Sequence, residues 1–240
     1  MEKINLQISN LKHQKPPTYK CSRCRDTGWI ETTKNNFTPC ICIKKDQAKK
    51  QFERTGLNIE HSKQTLENFK VVSQETKVAK ATAEQYLKDY EKIKHSRTNS
   101  IMLGGQVGSG KTHISIAIAI KLLRKGVSVV YMPYRDTITK IKQNMLDKEY
   151  YKRELSKYQN AEILLIDDLY KGKITEADIN IMFEIVNHRY LNYLPIIISS
   201  EFEITRLLNF DEAVGSRIYE MCKDYTVQIK KDINNNYRLK

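Results

Sequence analysis

Short apolar runs alternate with longer amphipathic segments along most of this 240-residue chain. Each run is too short for a helix but rich enough in Ile, Leu and Val for a buried strand. The predicted strands occupy residues 101–103, 127–134, 162–168, 195–200 and 225–230. Continuously apolar strands that alternate with helices are typical of a mostly parallel sheet with helices on both faces. The pattern therefore predicts an α/β fold with a five-stranded parallel sheet.

Helices are predicted between these strands from the spacing of their apolar residues and from glycine stop signals. The predicted helices occupy residues 44–56, 76–94, 112–126, 174–193 and 211–222, with a charged helical stretch before residue 160. A polar segment beginning at Gly56 reads as a linker. We therefore expect two domains, a small one over residues 1–58 and the α/β domain over residues 59–240.

A glycine-rich loop follows the first strand of the predicted sheet. It fits the phosphate-loop pattern G-x-x-x-x-G-K-[ST] and opens a helix, as a nucleotide-binding loop must. In this reading, backbone N–H groups surround the phosphates, Lys111 reaches the outer phosphates and Thr112 holds Mg²⁺. The predicted nucleotide-binding residues here are Gly105, Gln106, Val107, Gly108, Ser109, Gly110, Lys111, Thr112 and His113.

Two carboxylates end the apolar run 163–166. A buried strand that delivers a carboxylate beside a phosphate loop is typical of a site for Mg²⁺ and ATP. We expect Asp167 to hold the magnesium shell and Asp168 to act on the attacking water. Ser199, Ser200 and Glu201 end the next apolar strand, and all three are expected beside the γ-phosphate. The alternative is that these residues only lead the chain out of the strand.

Four cysteines fall within a short segment near the N-terminus. They are Cys21, Cys24, Cys40 and Cys42, with the spacing C-x2-C, fifteen residues, then C-x-C. In a reducing compartment paired cysteines indicate zinc before disulfides, and four thiolates complete a closed structural site. A disulfide or free thiols remain the alternative. His13 is a further possible ligand that its spacing does not require.

The formal net charge of +13 suits an anionic partner such as nucleic acid, although a lysine-rich soluble surface has the same composition. No segment approaches the roughly 18 apolar residues of a membrane span, and the N-terminus has no apolar stretch of signal-peptide type. We therefore expect a cytoplasmic protein without a membrane partner.

The constellation resembles the AAA+ ATPases of the DnaC/DnaI type, which are bacterial and phage replicative helicase loaders. Three segments carry the resemblance besides the phosphate loop: TLENF at 65–69, LLIDDL at 164–169 and GSRIYEM at 215–221. The first resembles the segment near adenine, and the second resembles the loaders' Asp-Asp motif. Spacing alone favours a surface ion pair for Arg217, whereas the resemblance implies an arginine finger that acts in a neighbouring subunit's site.

The resemblance implies an AAA+ P-loop NTPase core, preceded by a small zinc-binding domain that contacts the hexameric replicative helicase. It also implies binding to single-stranded DNA and self-association through the ATPase domain. Ten residues follow the last predicted strand, too few for the helical lid domain of general AAA+ proteins. The expected cofactors are ATP, Mg²⁺ and Zn²⁺. The expected function is ATP-dependent loading of the replicative helicase onto single-stranded DNA.

Two other functions use the same loop. A transposition helper ATPase of the IstB type has a similar core and coats DNA, but the cysteine module is unlike that family. A small-molecule kinase needs an acceptor pocket and lid, for which the sequence shows no segment. A GTPase is disfavoured because no N-K-x-D motif occurs.

Overall fold

The computed structural model describes residues 19–33, 36–43, 55–58 and 60–239. The chain divides into two compact units, residues 1–49 and 50–240. Leu57 is buried in the core of the second unit, because its apolar side chain gains more from burial than from the solvated position of a linker. The boundary therefore lies earlier than the one expected after residue 58. His13 and most of the helix predicted at 44–56 fall outside the described residues.

The first unit contains a two-stranded antiparallel sheet, β1 (Trp29–Thr33) and β2 (Asn36–Pro39). The side chain of Trp29, the first residue of β1, is 51% exposed. Among the described residues of this unit, the buried positions are Cys24 and Cys40. The cysteines, rather than an apolar cluster, therefore organise the described part of the unit.

The second unit is built on a five-stranded parallel sheet, which confirms the predicted fold class. Its strands are β3 (Ile101–Gly105), β4 (Val129–Pro133), β5 (Ile163–Leu169), β6 (Ile196–Ser200) and β7 (Thr226–Ile229), in the order β4-β5-β6-β3-β7. Alternate strand residues enter two separate cores. Leu103 and Leu165 lie in one, while Met102 and Leu164 lie in the other. The sheet is therefore covered on both faces, as continuously apolar strands require.

Seven α-helices are described in the second unit. They are α1 (Gln74–Ile93), α2 (Lys111–Arg124), α3 (Tyr134–Gln143), α4 (Lys148–Gln159), α5 (Glu176–Leu191), α6 (Ile204–Phe210) and α7 (Glu212–Cys222). α1 and α2 contribute to the core of one face, and the other helices contribute to the core of the opposite face. Ser73 caps α1 by accepting the Thr76 N–H, which stabilises the start of that helix.

The strand order brings the functional segments to one edge of the sheet. β3 leads through α2 to the far strand β4, whereas β6 leads through α6 and α7 to β7 on the other side of β3. Ligands bind at such a reversal of direction, beyond the carboxyl ends of the strands. After β7 the described chain forms two short 3-10 turns, Ile233–Asn235 and Tyr237–Leu239. Among the described helices, none combines the length and apolar character needed to cross a membrane.

Candidate functional site

The phosphate loop joins β3 to α2 and depends on glycine backbone geometry. Gly105, Gly108 and Gly110 have φ values of 107°, 73° and 82°, a region that side chains disfavour. A Cβ on Gly105 would lie 2.1 Å from the carbonyl oxygen of Ile229, and one on Gly108 would lie 2.3 Å from Oδ1 of Asn236. The loop therefore has no room for side chains at these positions, which leaves its backbone close to any bound phosphate.

Lys111 is the buried cation of the loop. Its side chain is only 5% exposed, and its Nζ donates to the carbonyl oxygens of Gly105 at 2.9 Å and Gln106 at 2.6 Å. Burial lowers the pKa of Lys111, while the charges of Asp168 and Glu201 act in the opposite direction. Both hydrogen-bond acceptors are neutral groups of its own loop. An anionic phosphate would be a stronger partner for this ammonium than either carbonyl.

Asp167 is the hydrogen-bonding centre of the site. Its Oδ1 accepts from the Thr112 hydroxyl at 2.8 Å and from the Ser199 hydroxyl, and its Oδ2 accepts from the Tyr131 hydroxyl at 3.2 Å. Burial and the Asp167 carboxylate raise the pKa of Tyr131, so this hydroxyl stays protonated and donates. The sequence pairs Thr112 with Asp167 through magnesium chemistry, and the structure brings the two side chains into direct contact.

A β-bulge presents the two carboxylates at the edge of the sheet. The pairing of β5 with β6 shifts register between Ile166 and Leu169, and Asp168 adopts a φ of 56°. Where the backbone pairing of β5 with β6 is interrupted, the Ser199 hydroxyl accepts the Asp168 N–H at 2.8 Å and donates to Asp167. Bulges beside active sites redirect side chains in this way.

Asp168 belongs to a charged group at the mouth of the site. Its carboxylate pairs with Lys171 Nζ at 2.7 Å, and the same ammonium lies 3.5 Å from Glu201. The hydrogen bond from Lys171 to Asp168 raises the pKa of Lys171. Asp168 is therefore held in place by a lysine that the sequence gave no reason to single out.

Lys111, Thr112 and Asp168 face a cavity of about 380 Å³. Its inner wall is the loop and the start of α2, Val107 to His113, and Asp168, Lys171 and Glu201 lie at one side. Asn68 and Phe69 form another part of the wall. The volume is in the range of a small-molecule site. Asn68 and Phe69, the last residues of the segment expected near adenine, are therefore in the cavity wall together with Asp168 and part of the loop.

His113 links the start of α2 to that segment. Its Nε2 lies 2.9 Å from the Thr65 carbonyl oxygen and 3.0 Å from Asn68 Oδ1, and its ring meets the edge of Phe69 at 5.3 Å between centroids. These contacts hold Asn68 and Phe69 against His113, the residue after Thr112 of the phosphate loop. Residues far apart in the sequence therefore line the same cavity.

Ser200 is among the predicted residues that do not line the cavity. Ser200 is fully buried, where its hydroxyl donates to the Leu169 carbonyl oxygen at 2.9 Å and accepts the Phe202 N–H at 3.0 Å. Because alternate strand residues point to opposite faces, Ser199 and not Ser200 reaches the carboxylates. The Ser200 side chain was expected beside the γ-phosphate, but in the structure it binds backbone groups and does not line the cavity.

Arg217 is also outside the cavity of its own chain. It lies on α7, where Nε donates to Asn187 Oδ1 at 3.0 Å and a terminal nitrogen donates to the Ala213 carbonyl oxygen at 2.6 Å. Its guanidinium lies 5.1 Å from the Phe183 ring centroid. The surface ion pair that spacing alone favoured is not its contact. Its action in a neighbouring subunit's site stays a prediction.

Sequence reasoning missed Tyr237 and Arg238, which line the cavity from the end of the chain. It also missed Tyr131 and Lys171. An aromatic and a basic residue at a chain end carry no motif, so only the tertiary structure reveals them. The helix expected over 112–126 is present as α2, so the local signal was sufficient for the loop itself.

The four N-terminal cysteines form a compact cluster. Their sulfur atoms all lie within 4.8 Å of one another, with Sγ of Cys21 and Cys40 3.8 Å apart and Sγ of Cys24 and Cys42 3.4 Å apart. All four are free thiols, far from the S–S bond length of about 2.05 Å. Zinc at about 2.3 Å from four tetrahedral sulfurs sets them roughly 3.8 Å apart, so this donor set fits zinc.

The backbone around the cysteines is folded to present them. Cys21 N–H donates to Asp26 Oδ1 at 2.8 Å, and Cys40 N–H donates to the Gly28 carbonyl oxygen at 2.7 Å. Thr27 Oγ1 donates to the Cys24 carbonyl oxygen at 2.6 Å. Hydrogen bonds therefore fix the backbone beside both cysteine pairs. The fifth cysteine, Cys222, is fully buried in the core of the second unit.

Comparisons with known proteins place this site in a family. Residues 43–239 match the family of IstB-like ATP binding proteins. The protein XkdC of the phage-like element PBSX of Bacillus subtilis (strain 168) is 38% identical over 88% of this chain and 83% of its own length. The replicative helicase loader DnaC of Escherichia coli (strain K12) is 27% identical over 65% of this chain and 64% of its own length.

Solved structures agree with this placement. The replication initiator DnaA bound to AMPPCP and single-stranded DNA has a TM-score of 0.60 at 27% identity, over 73% of this chain and 51% of that chain. A DnaC helicase loader shares the fold with a TM-score of 0.62 at 20% identity, over 72% of this chain and all of that chain. The chain therefore belongs to the family of IstB-like ATP-binding proteins and has the AAA+ fold of the DnaC/DnaI type.

Proposed function

We propose that this protein is an ATP-dependent loader of the replicative DNA helicase onto single-stranded DNA. The observation that carries the proposal is the presence of two separate sites in one chain. The family match begins at residue 43, directly after the last clustered cysteine, so it accounts for the ATPase domain alone. The function of the cysteine cluster must then be sought outside the ATPase domain. The cluster fits the zinc-bearing, helicase-binding module of DnaI-like loaders.

The ATPase step follows from the residues around the cavity. Lys111 exchanges its two loop carbonyls for the outer phosphates and neutralises their charge. Thr112 and Asp167 would hold the magnesium shell, and Mg²⁺ held there would supply charge stabilisation at the phosphates. Asp168 accepts a hydrogen bond from the attacking water and orients it. Ser199 and Tyr131 keep Asp167 in position.

Arg217 couples hydrolysis to assembly. Since it lies on α7 with neutral partners in its own chain, it is available to a second copy that packs against this helix. An arginine supplied by a neighbour stabilises the charge of phosphoryl transfer. ATP then acts as an assembly switch, because a nucleotide-free subunit offers its neighbour no phosphate to bind. The excess of basic residues supplies contacts to DNA phosphates.

The test is capture of the matching hexameric helicase by the full chain, with and without Mg·ATP. We expect capture by the wild type, loss of capture by Cys40→Ser, and loss of the ATP dependence by Lys111→Ala. Arg124→Ala is the matched control, because this exposed cation lies on the same helix as Lys111. Arg217→Ala should keep ATP binding and lose assembly-dependent hydrolysis, whereas Lys223→Ala should keep both.

The family match also favours a second function, an IstB-like transposition helper that assembles on DNA. The same preparation distinguishes the two. Filaments on duplex DNA in the presence of ATP, without helicase capture, would favour the helper. Capture that does not depend on the cysteines or on Lys111 would contradict the loader proposal.

A further inference from the structure

The C-terminal segment, residues 230–239, folds back onto the phosphate loop. Asp232 N–H donates to Gln106 Oε1 at 2.7 Å, and Tyr237 N–H donates to the Gly108 carbonyl oxygen at 2.9 Å. The segment therefore contacts the loop at two places on opposite sides of Val107. We call residues 230–239 the C-terminal clasp.

The clasp has a defined internal structure. Asp232 accepts the Asn234 N–H at 2.8 Å, which starts the first 3-10 turn. Asn235 is fully buried and its amide donates to the Lys230 carbonyl oxygen at 3.0 Å. Asn236 Oδ1 accepts the Arg238 N–H at 2.9 Å. These side-chain caps satisfy the backbone of a segment that is too short for a helix.

Tyr237 seats its ring in the cavity wall. Its hydroxyl donates to the Lys70 carbonyl oxygen, and its ring lies 5.7 Å from the Phe69 ring between centroids. A Cβ on Gly110 would meet the Phe69 ring at 2.7 Å and the Tyr237 ring at 3.3 Å. Two aromatic rings therefore lie against the last glycine of the phosphate loop.

Arg238 supplies a second cation beside the loop. It is exposed and lines the cavity, and its Cδ lies 3.5 Å from the place of a Cβ on Gly108. The guanidinium is long enough to turn toward phosphates held by the loop. A buried ammonium, Lys111, and an exposed guanidinium, Arg238, therefore border the same cavity.

We propose that the C-terminal clasp is the outer wall of the nucleotide site, in which Tyr237 packs against the base and Arg238 binds the phosphates. This inference rests on the proposed ATP site and adds residues to it from the end of the same chain. The clasp also fixes the 108–109 peptide plane of the loop through the Tyr237 N–H. The clasp thus covers one side of the nucleotide.

The proposal distinguishes a contact to the base from a general effect on the loop. Stacking of a base on an aromatic side chain is lost on alanine substitution, but the Tyr237 N–H that holds Gly108 remains. Tyr237→Ala should weaken ATP binding about 10-fold and leave the binding of inorganic tripolyphosphate within about 2-fold. Arg238→Ala should weaken both ligands by a similar factor, more strongly at low salt.

The measurement is equilibrium binding of a fluorescent ATP analogue to the full chain in Mg²⁺, with displacement by ATP or tripolyphosphate. Tyr237→Phe keeps the ring and should bind ATP within about 3-fold of the wild type. Leu239→Ala is the matched control, because this side chain is 66% exposed and does not line the cavity. Thermal unfolding midpoints verify that each variant is folded.

The outcomes separate two failures. If the wild type binds neither ligand, the proposed ATP site itself fails. If the wild type binds ATP and Tyr237→Ala binds it equally well, the clasp is not part of the nucleotide site. Equal weakening of ATP and tripolyphosphate by Tyr237→Ala would overturn the base contact and leave only a structural effect on the loop.

Discussion

Replacing Asp167 with asparagine separates folding from catalysis at this site. Asparagine keeps an Oδ1 that accepts from Thr112 and Ser199. Its amide nitrogen takes the place of Oδ2, and the Tyr131 hydroxyl can rotate to accept from it. All three contacts are therefore remade, and we expect the free energy of unfolding to change by about 1 kcal/mol or less.

Catalysis should respond very differently, because the substitution removes the negative charge next to Thr112 and Lys111. A metal ion contributes several kcal/mol to charge stabilisation in the transition state. Loss of about 3 kcal/mol corresponds to a fall in ATP turnover of about 150-fold. The fall should be partly recovered at higher Mg²⁺ if the weakened step is metal binding.

The assay is steady-state phosphate release over a titration of Mg²⁺, together with urea unfolding of the same preparations. Ser200→Ala is the matched control, since its hydroxyl bonds only to the backbone of Leu169 and Phe202 in the described structure. It should retain turnover while losing a little stability. Undiminished turnover in Asp167→Asn would refute the assignment of Asp167 to the magnesium shell.

Three further predictions concern stability and metal binding. Arg189→Met should lower the free energy of unfolding by about 3–5 kcal/mol in urea titrations. The reason is that the fully buried guanidinium donates to carbonyl oxygens that include those of Tyr158, Ala161 and Pro195. The control Arg124→Met, at an exposed position, should change the free energy of unfolding by less than about 0.5 kcal/mol. Burial alone would raise the pKa of Asp178, but hydrogen bonds from Lys142 and Thr175 more than offset it and leave the pKa below its ordinary value. The ionised carboxylate therefore stabilises the fold at pH values above its ordinary pKa. Asp178→Asn should lower the free energy of unfolding by about 1 kcal/mol at neutral pH, and this loss should shrink as the pH falls below about 4. A loss of stability that does not depend on pH would refute the ion pair. Metal analysis of the purified full chain should find zinc in the wild type and in Cys222→Ala but little in Cys40→Ser, and equal zinc in all three would contradict the four-cysteine site.

Features set by neighbouring residues were predictable from the sequence. The phosphate loop needs positive φ values at closely spaced positions and a following helix, and both requirements are visible in residues 105–112. The strand that ends at Asp167 is a continuous apolar run, which burial on both faces of a parallel sheet demands. The sheet and the principal carboxylates therefore followed from local pattern.

Features set by distant contacts were not predictable in this way. Ser199, Ser200 and Glu201 were expected together beside the γ-phosphate, and the irregular pairing of β5 with β6 decides that Ser199 is the one that binds Asp167. Tyr237 reaches the Lys70 carbonyl oxygen across most of the chain. In the described part of the first unit, Trp29 is exposed whereas Cys24 and Cys40 are buried. Each outcome depends on packing between segments, which a single sequence does not encode as a motif.

We expect the cavity above the phosphate loop to bind Mg·ATP through Lys111. Calorimetric titration of Mg·ATP into the full chain measures this binding, with Lys111→Ala compared with the exposed control Arg124→Ala. Saturable binding at one site per chain is expected in the wild type and in the control. Binding at least about 100-fold weaker is expected in Lys111→Ala, since the buried ammonium is lost. Equal affinity in Lys111→Ala and the wild type would contradict this expectation.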